Sequence, residues 1–380
     1  MKITGAWLTN AATQALCAAV QAGRFRIFFV GGCVRNALLG EAVGDLDLAT
    51  DALPDQVMQL AEAAGFKAIP TGIDHGTVTV LAKGVSHEIT TFRRDVQTDG
   101  RHAAVAYSTD IAQDAARRDF TMNALYADPS GNVVDPLGGL PDLLARRLRF
   151  VGDPALRIRE DYLRILRFFR FSATYGDPAL GVEADALAAC AQLADGIDTL
   201  SRERIGAEMR KLLSARDPAP ALASMAAAGI LRHILTGADP RCLAALVHLE
   251  GDLPSRWQRR LVVLGGQDWG DALRLSRAEQ ALMMGLRDQI GTSLSPAALG
   301  WKLGIDAGAD AVLARAALLE SHLPRLWQKD VARGAESRFP VTAADLMPLW
   351  NGPALGAKLA QLESLWLASD LRLSRHELLA

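Results

Sequence analysis

Up to Gly139 the apolar positions come in short runs cut by glycine, and from Glu160 onward they settle into helical stripes. Trp7, Ala11, Leu16 and Val20 share a helical face and Gly23 can cap it, so the spacing predicts a helix over 7–21. The run Arg26-Ile27-Phe28-Phe29-Val30 reads as a strand, 34–39 as a short helix ended by Gly40, and 45–50 as a second strand. Pro54 opens a helix that stops before Gly65, with proline in its first turn and glycine past its end. The β-branched runs 76–81 and 87–92, joined by a short polar link, predict a hairpin. Residues 97–113 are polar and without period, which predicts a mobile loop; 119–126 then reads as helix. Breaks at Gly176-Asp177-Pro178, Asp217-Pro218, Asp239-Pro240 and Ser295-Pro296 divide the helical remainder. The expected fold class is α+β: an α/β head on a small mixed sheet, followed by an all-α remainder.

Composition narrows this picture by exclusion. A chain of 380 residues, half of them hydrophobic and 22% charged, can form two or three domains with a sizeable core. Its net charge of −2 carries no whole-chain signal for nucleic acid, so any such contact must be local. Cys17, Cys33, Cys190 and Cys242 are scattered without ligand spacing, which predicts a reduced cytoplasmic protein with neither structural zinc nor disulfides. The polar N-terminus does not read as a signal peptide, and no apolar run reaches membrane-spanning length.

Four clusters could carry chemistry. Asp45 and Asp47, two apart on an expected strand, point to one face and could hold Mg²⁺, which takes one or two protein carboxylates and completes its shell with phosphate and water. Glu88 on a later strand is a candidate third. An exposed strand that alternates Asp and Leu gives the same pattern without function. Gly31-Gly32 could present backbone amides to phosphate, with Arg35 close behind, or could simply be a turn; no GxxxxGK[ST] loop occurs. In Arg117-Arg118-Asp119-Phe120-Thr121-Met122-Asn123 the arginines suit a triphosphate, while Asp119 and Asn123, four apart, could bond a ribose hydroxyl; a helix cap beside a solvated basic pair is the plainer reading. Finally, Asp161 and Arg164 stand at i, i+3, an acceptor beside a donor. Cytosine and adenine each offer a matching donor–acceptor edge, whereas uracil and guanine present the reverse. A surface ion pair worth about a few tenths of a kcal/mol would look the same.

Order and spacing combine what each cluster leaves open. GGCVRNALLG, GDLDLATD, HGTVTV, EITTFR, RRDFTMNAL, DPLGGLPDLLARRLR and EDYLRILRFFRF together resemble the class II tRNA nucleotidyltransferase and bacterial poly(A) polymerase family, among the polymerase-beta-like nucleotidyltransferases. The resemblance covers residues 25–235. It implies a head (1–140), a helical neck with a base-reading motif (141–215), and a helical body and tail (216–380) that bind tRNA. It implies Asp45 and Asp47 as the Mg²⁺ pair, with Glu88 as a third catalytic carboxylate, and Gly31, Gly32 and Arg35 around the triphosphate. Asp119 and Asn123 would meet the ribose, Arg118, Arg157 and Arg167 the phosphates, and Asp161 with Arg164 the base. Asp135, Gly138, Gly139 and Asp142 would belong to a segment associated with head–neck movement.

The activity so implied is untemplated addition of C, C and A to the tRNA 3′ end from CTP and ATP, with pyrophosphate released; no membrane or protein partner is expected. Poly(A) synthesis, partial addition, or RNA binding without catalysis are the alternatives. The segment 94–116 leans towards full CCA addition, and the C-terminal third has no adjacent His-Asp pair to suggest a phosphohydrolase. One departure stands out: Asn36 occupies a position where the family usually has Asp, which puts any charge pairing there in doubt. Arg256-Trp257-Gln258-Arg259-Arg260 and Ser201-Arg202-Glu203-Arg204 are further candidates for backbone contacts, against the plainer reading of solvated helix faces.

Overall fold

The computed structural model describes residues 1–99 and 102–380, the side chains at 95–99 and 102–105 excepted. Two compact units divide the chain, Met1–Leu200 and Ser201–Ala380. Among the described residues the first contains nine strands: β1 (Ile27–Val30), β2 (Asp47–Thr50), β3 (Lys67–Gly72), β4 (Thr77–Ala82), β5 (Val85–Thr91), β6 (Arg93–Asp99), β7 (His102–Tyr107), β8 (Tyr126–Ala127) and β9 (Val133–Val134). Seven form one mixed sheet in the order β3-β4-β5-β2-β1-β8-β9. Among the described residues only β2 and β5 pair in parallel; the rest are antiparallel. The expected small mixed sheet is therefore present.

Helices α1 (Ala11–Ala22), α2 (Gly32–Leu39) and α3 (Pro54–Ala63) serve this sheet. Helix α1 begins at Ala11 rather than at Trp7, because the Asn10 side chain accepts from the amides of Ala12 and Thr13 and sets the N-cap there. Leu16 and Val20 of α1, Phe29 of β1, Val34 of α2, Leu48 of β2 and Val57 of α3 are all buried. The loop expected over 97–113 falls partly outside the described residues, at Gly100 and Arg101. On either side lie β6 and β7, an antiparallel ribbon, and then α4 (Ile111–Ala116). Among the described residues this ribbon pairs with no third strand, and a two-stranded ribbon need bury no face, so no apolar period marks it. The helix expected over 119–126 is instead a single 3₁₀ turn, Thr121–Asn123, followed by β8. Pairing of Tyr126 with Val30 and Ala127 with Phe29 draws the chain into the sheet and overrides the local pattern.

The first unit continues with α5 (Leu140–Leu144), α6 (Pro154–Glu160), α7 (Leu163–Tyr175) and α8 (Ala184–Gln192). Asp135 accepts from the amides of Gly139 and Leu140, at 2.8 and 2.9 Å, and so fixes the start of α5. Helix α7 is anchored by aromatic rings: Phe168 stacks on Phe150 at 5.6 Å and Phe171 lies 5.2 Å from Phe120.

The second unit is all helical apart from an isolated bridge, as its stripes predicted. It holds α9 (Arg202–Leu213), α10 (Ala219–Ala227), α11 (Leu243–Glu250), α12 (Trp257–Leu264), α13 (Trp269–Ala272), α14 (Arg277–Ile290), α15 (Pro296–Leu318), α16 (Trp327–Glu336), α17 (Ala343–Leu346), α18 (Gly352–Ala368) and α19 (Arg375–Leu379). Helices α15 and α16 approach backbone to backbone: a methyl at Gly300 would strike the Val331 carbonyl, and one at Gly334 the Ala297 carbonyl. The last helices gather around Trp366, with Leu346, Leu362 and Leu378 buried beside it. Among the described residues no helix is long and apolar enough to cross a membrane.

Arg259 and Arg260, on α12, are each only 2% exposed. Arg259 donates to Glu250 and Asp310, and Arg260 donates to Glu250 and to the carbonyls of Leu213, Ala215 and Arg216 at the end of α9. Arg256 pairs with Asp306 and Asp310. Neither a solvated face nor a set of phosphate contacts describes Arg259 and Arg260: their counter-charges come from α11 and α15, which the local sequence does not reveal. Ser201 is the N-cap of α9, and Arg202 beside it is exposed.

Candidate active site

Strand β1 ends at Val30 and the chain turns through Gly31, whose φ of 70° and ψ of −116° suit glycine and few other residues. The Gly31 amide is spent on the Leu125 carbonyl at 3.0 Å. The amides that could meet an anion are therefore those opening α2, whose first turn has no intrahelical acceptors. Two guanidinium groups border this turn. A methyl at Gly31 would lie 3.5 Å from Arg118 Nη1, and one at Gly32 would lie 3.9 Å from Arg35 Nη2. Amides and cations converge there, as an anion-binding turn requires.

The carboxylates stand beside it. Asp47 opens β2 and lies in register with Glu88 on the parallel strand β5, so their side chains leave the same face of the sheet. Asp45 is not on the strand, as the Asp-Leu alternation suggested; it occupies a bend two residues before β2. Burial raises the pKa of Asp47, Glu88 and Asp45 raise it further, and Arg118 opposes them. Three carboxylates thus interact here against one opposing guanidinium, an arrangement that suits a divalent cation. Among the described residues no three His, Cys, Asp or Glu side chains form a metal-binding group by themselves. Two carboxylates that leave further positions to phosphate and water still fit Mg²⁺.

Arg117 and Arg118 are held by a residue that the motif reading passed over. Asp114 on α4, 1% exposed, pairs with Arg117 at 2.7 Å and Arg118 at 3.1 Å and accepts from the Tyr126 hydroxyl at 2.7 Å. Burial alone would raise the pKa of Asp114; Arg118, Arg117 and Tyr126 overcome it and hold the group below its ordinary value. Burial works against the Arg118 cation too, yet Tyr126 and Asp114 prevail and raise its pKa. Arg118 is thus a fixed cation facing Asp47.

Asp119 and Asn123 meet as their spacing suggested, Asn123 Nδ2 donating to Asp119 Oδ1 at 2.9 Å. Asp119 also accepts from its neighbour's amide at 2.9 Å and from Arg167 Nε at 2.8 Å. Burial opposes its ionisation, but Arg167 and then Asn123 overcome it, so its pKa is lowered. Asn123 Oδ1 accepts from Arg35 Nη1. A continuous chain of polar contacts therefore runs Arg35–Asn123–Asp119–Arg167, from α2 to α7.

The pair Asp161 and Arg164 does not share one helix. Asp161 ends α6 with an extended backbone (φ −157°, ψ 108°), and Arg164 belongs to the first turn of α7. Arg164 is held instead by Glu160 and by the Arg157 carbonyl at 2.7 Å, while Arg157 pairs with Glu160 at 2.9 Å. Asp161 Oδ1 accepts from the Leu163 amide at 3.1 Å. Four residues that sequence reasoning missed thus order the site: Asp114, Tyr126, Glu160 and Tyr175, whose hydroxyl accepts from Arg35 Nη2 at 2.6 Å. Asp114 could have been found, since it stands three and four residues before the arginines. Tyr175 could not, being 140 residues from Arg35.

Comparison with known proteins identifies relatives over most of the chain. Residues 27–149 match the family model described as poly A polymerase head domain, and 180–242 the one described as probable RNA and SrmB-binding site of polymerase A. The chain is 31% identical over 390 residues to CCA tRNA nucleotidyltransferase 1, mitochondrial, of Danio rerio, covering 95% of this chain and 88% of that protein. It is 41% identical over 194 residues to the CCA-adding enzyme of Bacillus pumilus, covering 50% of this chain and 47% of that one. Its fold superposes on the Bacillus stearothermophilus CCA-adding enzyme in complex with CTP with a TM-score of 0.73 at 27% identity, covering 94% of this chain and 93% of that one.

Proposed function

The chain belongs to the class II CCA-adding enzymes, metal-dependent tRNA nucleotidyltransferases of the polymerase-beta-like superfamily, and we propose that it adds C, C and A in turn to the tRNA 3′ end from CTP and ATP. The observation that carries this reading is the register of Asp47 with Glu88, facing Arg118 beside the Gly31-Gly32 turn. The tRNA 3′ oxygen attacks the α-phosphorus and a new P–O bond forms. The bond from that phosphorus to the bridging oxygen breaks, and pyrophosphate leaves with the electron pair. The hydroxyl proton passes to solvent at the exposed Glu88 carboxylate.

Asp45 and Asp47 would hold Mg²⁺, which when bound supplies Lewis-acid activation of the hydroxyl and offsets charge on the phosphates. The opening amides of α2, with Arg118 and Arg35, orient the triphosphate in line with the attacking oxygen. Arg157 and Arg167 add positive charge beside it, Asp119 and Asn123 fix the ribose end, and Asp161 with Arg164 selects the base. The head comprises 1–140, the neck 141–215 and the tRNA-binding body and tail 216–380. The four free cysteines suit a reducing compartment, and we assign the reaction to the cytoplasm.

The experiment is extension of tRNA transcripts ending before CCA, after C, or after CC, with CTP, ATP or both, and products resolved at single-nucleotide length. Addition of C, C and A followed by a stop supports the reading. Long A tails would replace it with poly(A) synthesis, and no extension with binding alone.

A further inference from the structure

Arg35 is only 6% exposed, yet among the described residues no carboxylate stands within ion-pair distance of it. Its partners are neutral. Nε and Nη2 donate to Asn36 Oδ1 at 3.1 and 2.9 Å, Nη2 donates to the Tyr175 hydroxyl at 2.6 Å, and Nη1 donates to Asn123 Oδ1. The guanidinium carbon lies 4.0 Å from the Tyr175 ring centre and 5.1 Å from that of Phe171. Four of its five N–H groups are thus spent, and one on Nη1 remains. Burial lowers the Arg35 pKa and Arg170 lowers it further, while Tyr175 and the more distant Asp119 only partly offset them. A buried charge without a counter-charge is costly, and face contact with aromatic rings repays only part of the cost.

We propose that Asn36 and Tyr175 are positioning residues that hold Arg35 as a buried, unneutralised cation beside the phosphate turn, so that the nucleotide triphosphate supplies its missing counter-charge. The inference rests on the CCA-adding reading and extends it by naming what sets affinity for the triphosphate, independently of the base. Asn36 is the decisive residue. It offers Arg35 two hydrogen bonds and no charge, and its Nδ2 donates to the Ala42 carbonyl at 2.8 Å. A carboxylate in its place would satisfy Arg35 internally and leave less for the substrate to neutralise.

The test compares wild type, Asn36→Asp, Asn36→Ala and Tyr175→Leu in KM for CTP, ATP and tRNA, in kcat, and in the rise of melting temperature on adding CTP or ATP. Both Asn36 variants lose the Ala42 bond, and only Asn36→Asp adds charge. Asn36→Asp is expected to raise both nucleotide KM values about tenfold, the Coulomb effect of one added charge at a partly solvated site. The nucleotide-induced thermal shift should shrink, with KM for tRNA unchanged. Asn36→Ala should fall between wild type and Asn36→Asp, and Tyr175→Leu should raise nucleotide KM without altering KM for tRNA. Equal effects of Asn36→Ala and Asn36→Asp, or a larger effect of Asn36→Ala, would overturn the charge argument while leaving the CCA reading intact. A wild-type protein that binds neither nucleotide would overturn both.

Discussion

Removing the Asp114 carboxylate should destabilise the first unit more than any surface substitution. Asp114 is buried at 1% exposure and serves three donors, with pairs to Arg117 at 2.7 Å and Arg118 at 3.1 Å and a bond from Tyr126 at 2.7 Å. Asp114→Ala leaves two mostly covered guanidinium groups without their shared carboxylate and a buried hydroxyl without its acceptor. Breaking a buried ion pair from one side costs about 3–5 kcal/mol. Asp114→Asn keeps the shape and an acceptor oxygen but not the charge, and should cost about 2 kcal/mol. The sign of the pH dependence follows from the lowered pKa. The unfolded chain takes up the proton at the ordinary carboxylate value, before the folded one does. The contribution is therefore complete above the unfolded pKa and is lost as pH falls through the lower, folded value. Urea-dependent hydrogen exchange of the β1 and β8 amides, measured at neutral pH and at successively lower pH, reads this unit separately from the second. A loss below about 1 kcal/mol for Asp114→Ala, the range of an exposed ion pair, would refute the reasoning. So would a difference from wild type that does not shrink in acid.

Three other outcomes are expected. Asp47→Asn should abolish nucleotide incorporation while filter binding of tRNA is retained; extension at the wild-type rate would remove Asp47 from the metal pair. Arg164→Ala should blur the choice among the four nucleotides more than it raises KM for CTP or ATP, and unchanged selectivity would count against a role in base choice. Arg260→Met should destabilise the second unit by about 3–5 kcal/mol in chemical denaturation, because Glu250 would then lack one of its two buried cations. A near-neutral result would mean that Arg259 alone satisfies Glu250.

What the sequence made legible was local. The run from Phe28 to Thr50 announces strand, turn, helix and strand because its glycines and apolar runs act within a few residues, and the structure places β1, α2 and β2 there, with β2 opening only at Asp47. The all-helical second unit was legible for the same reason, its stripes repeating at the helical period. The 119–126 segment was misread because its conformation is set by pairing with β1, a partner almost a hundred residues earlier in the chain. Asp161 and Arg164 looked like neighbours on one helix, since no proline or glycine advertises the break at Asp161. The arginines of α12 looked solvated because a charge is visible in a sequence and its counter-charge, on another helix, is not.

That last arrangement limits how the second unit can change over generations. Glu250, Arg259, Arg260 and Asp310 hold one another beneath the surface, so losing any one alone takes a counter-charge from at least one of the others. A wholly apolar replacement of similar volume could be as stable or more so, but a lineage would have to cross several impaired intermediates to reach it. The quartet is expected to persist by historical entrenchment, whatever it contributes to stability today. Drift should instead collect on exposed positions such as Arg241, which can be altered one at a time.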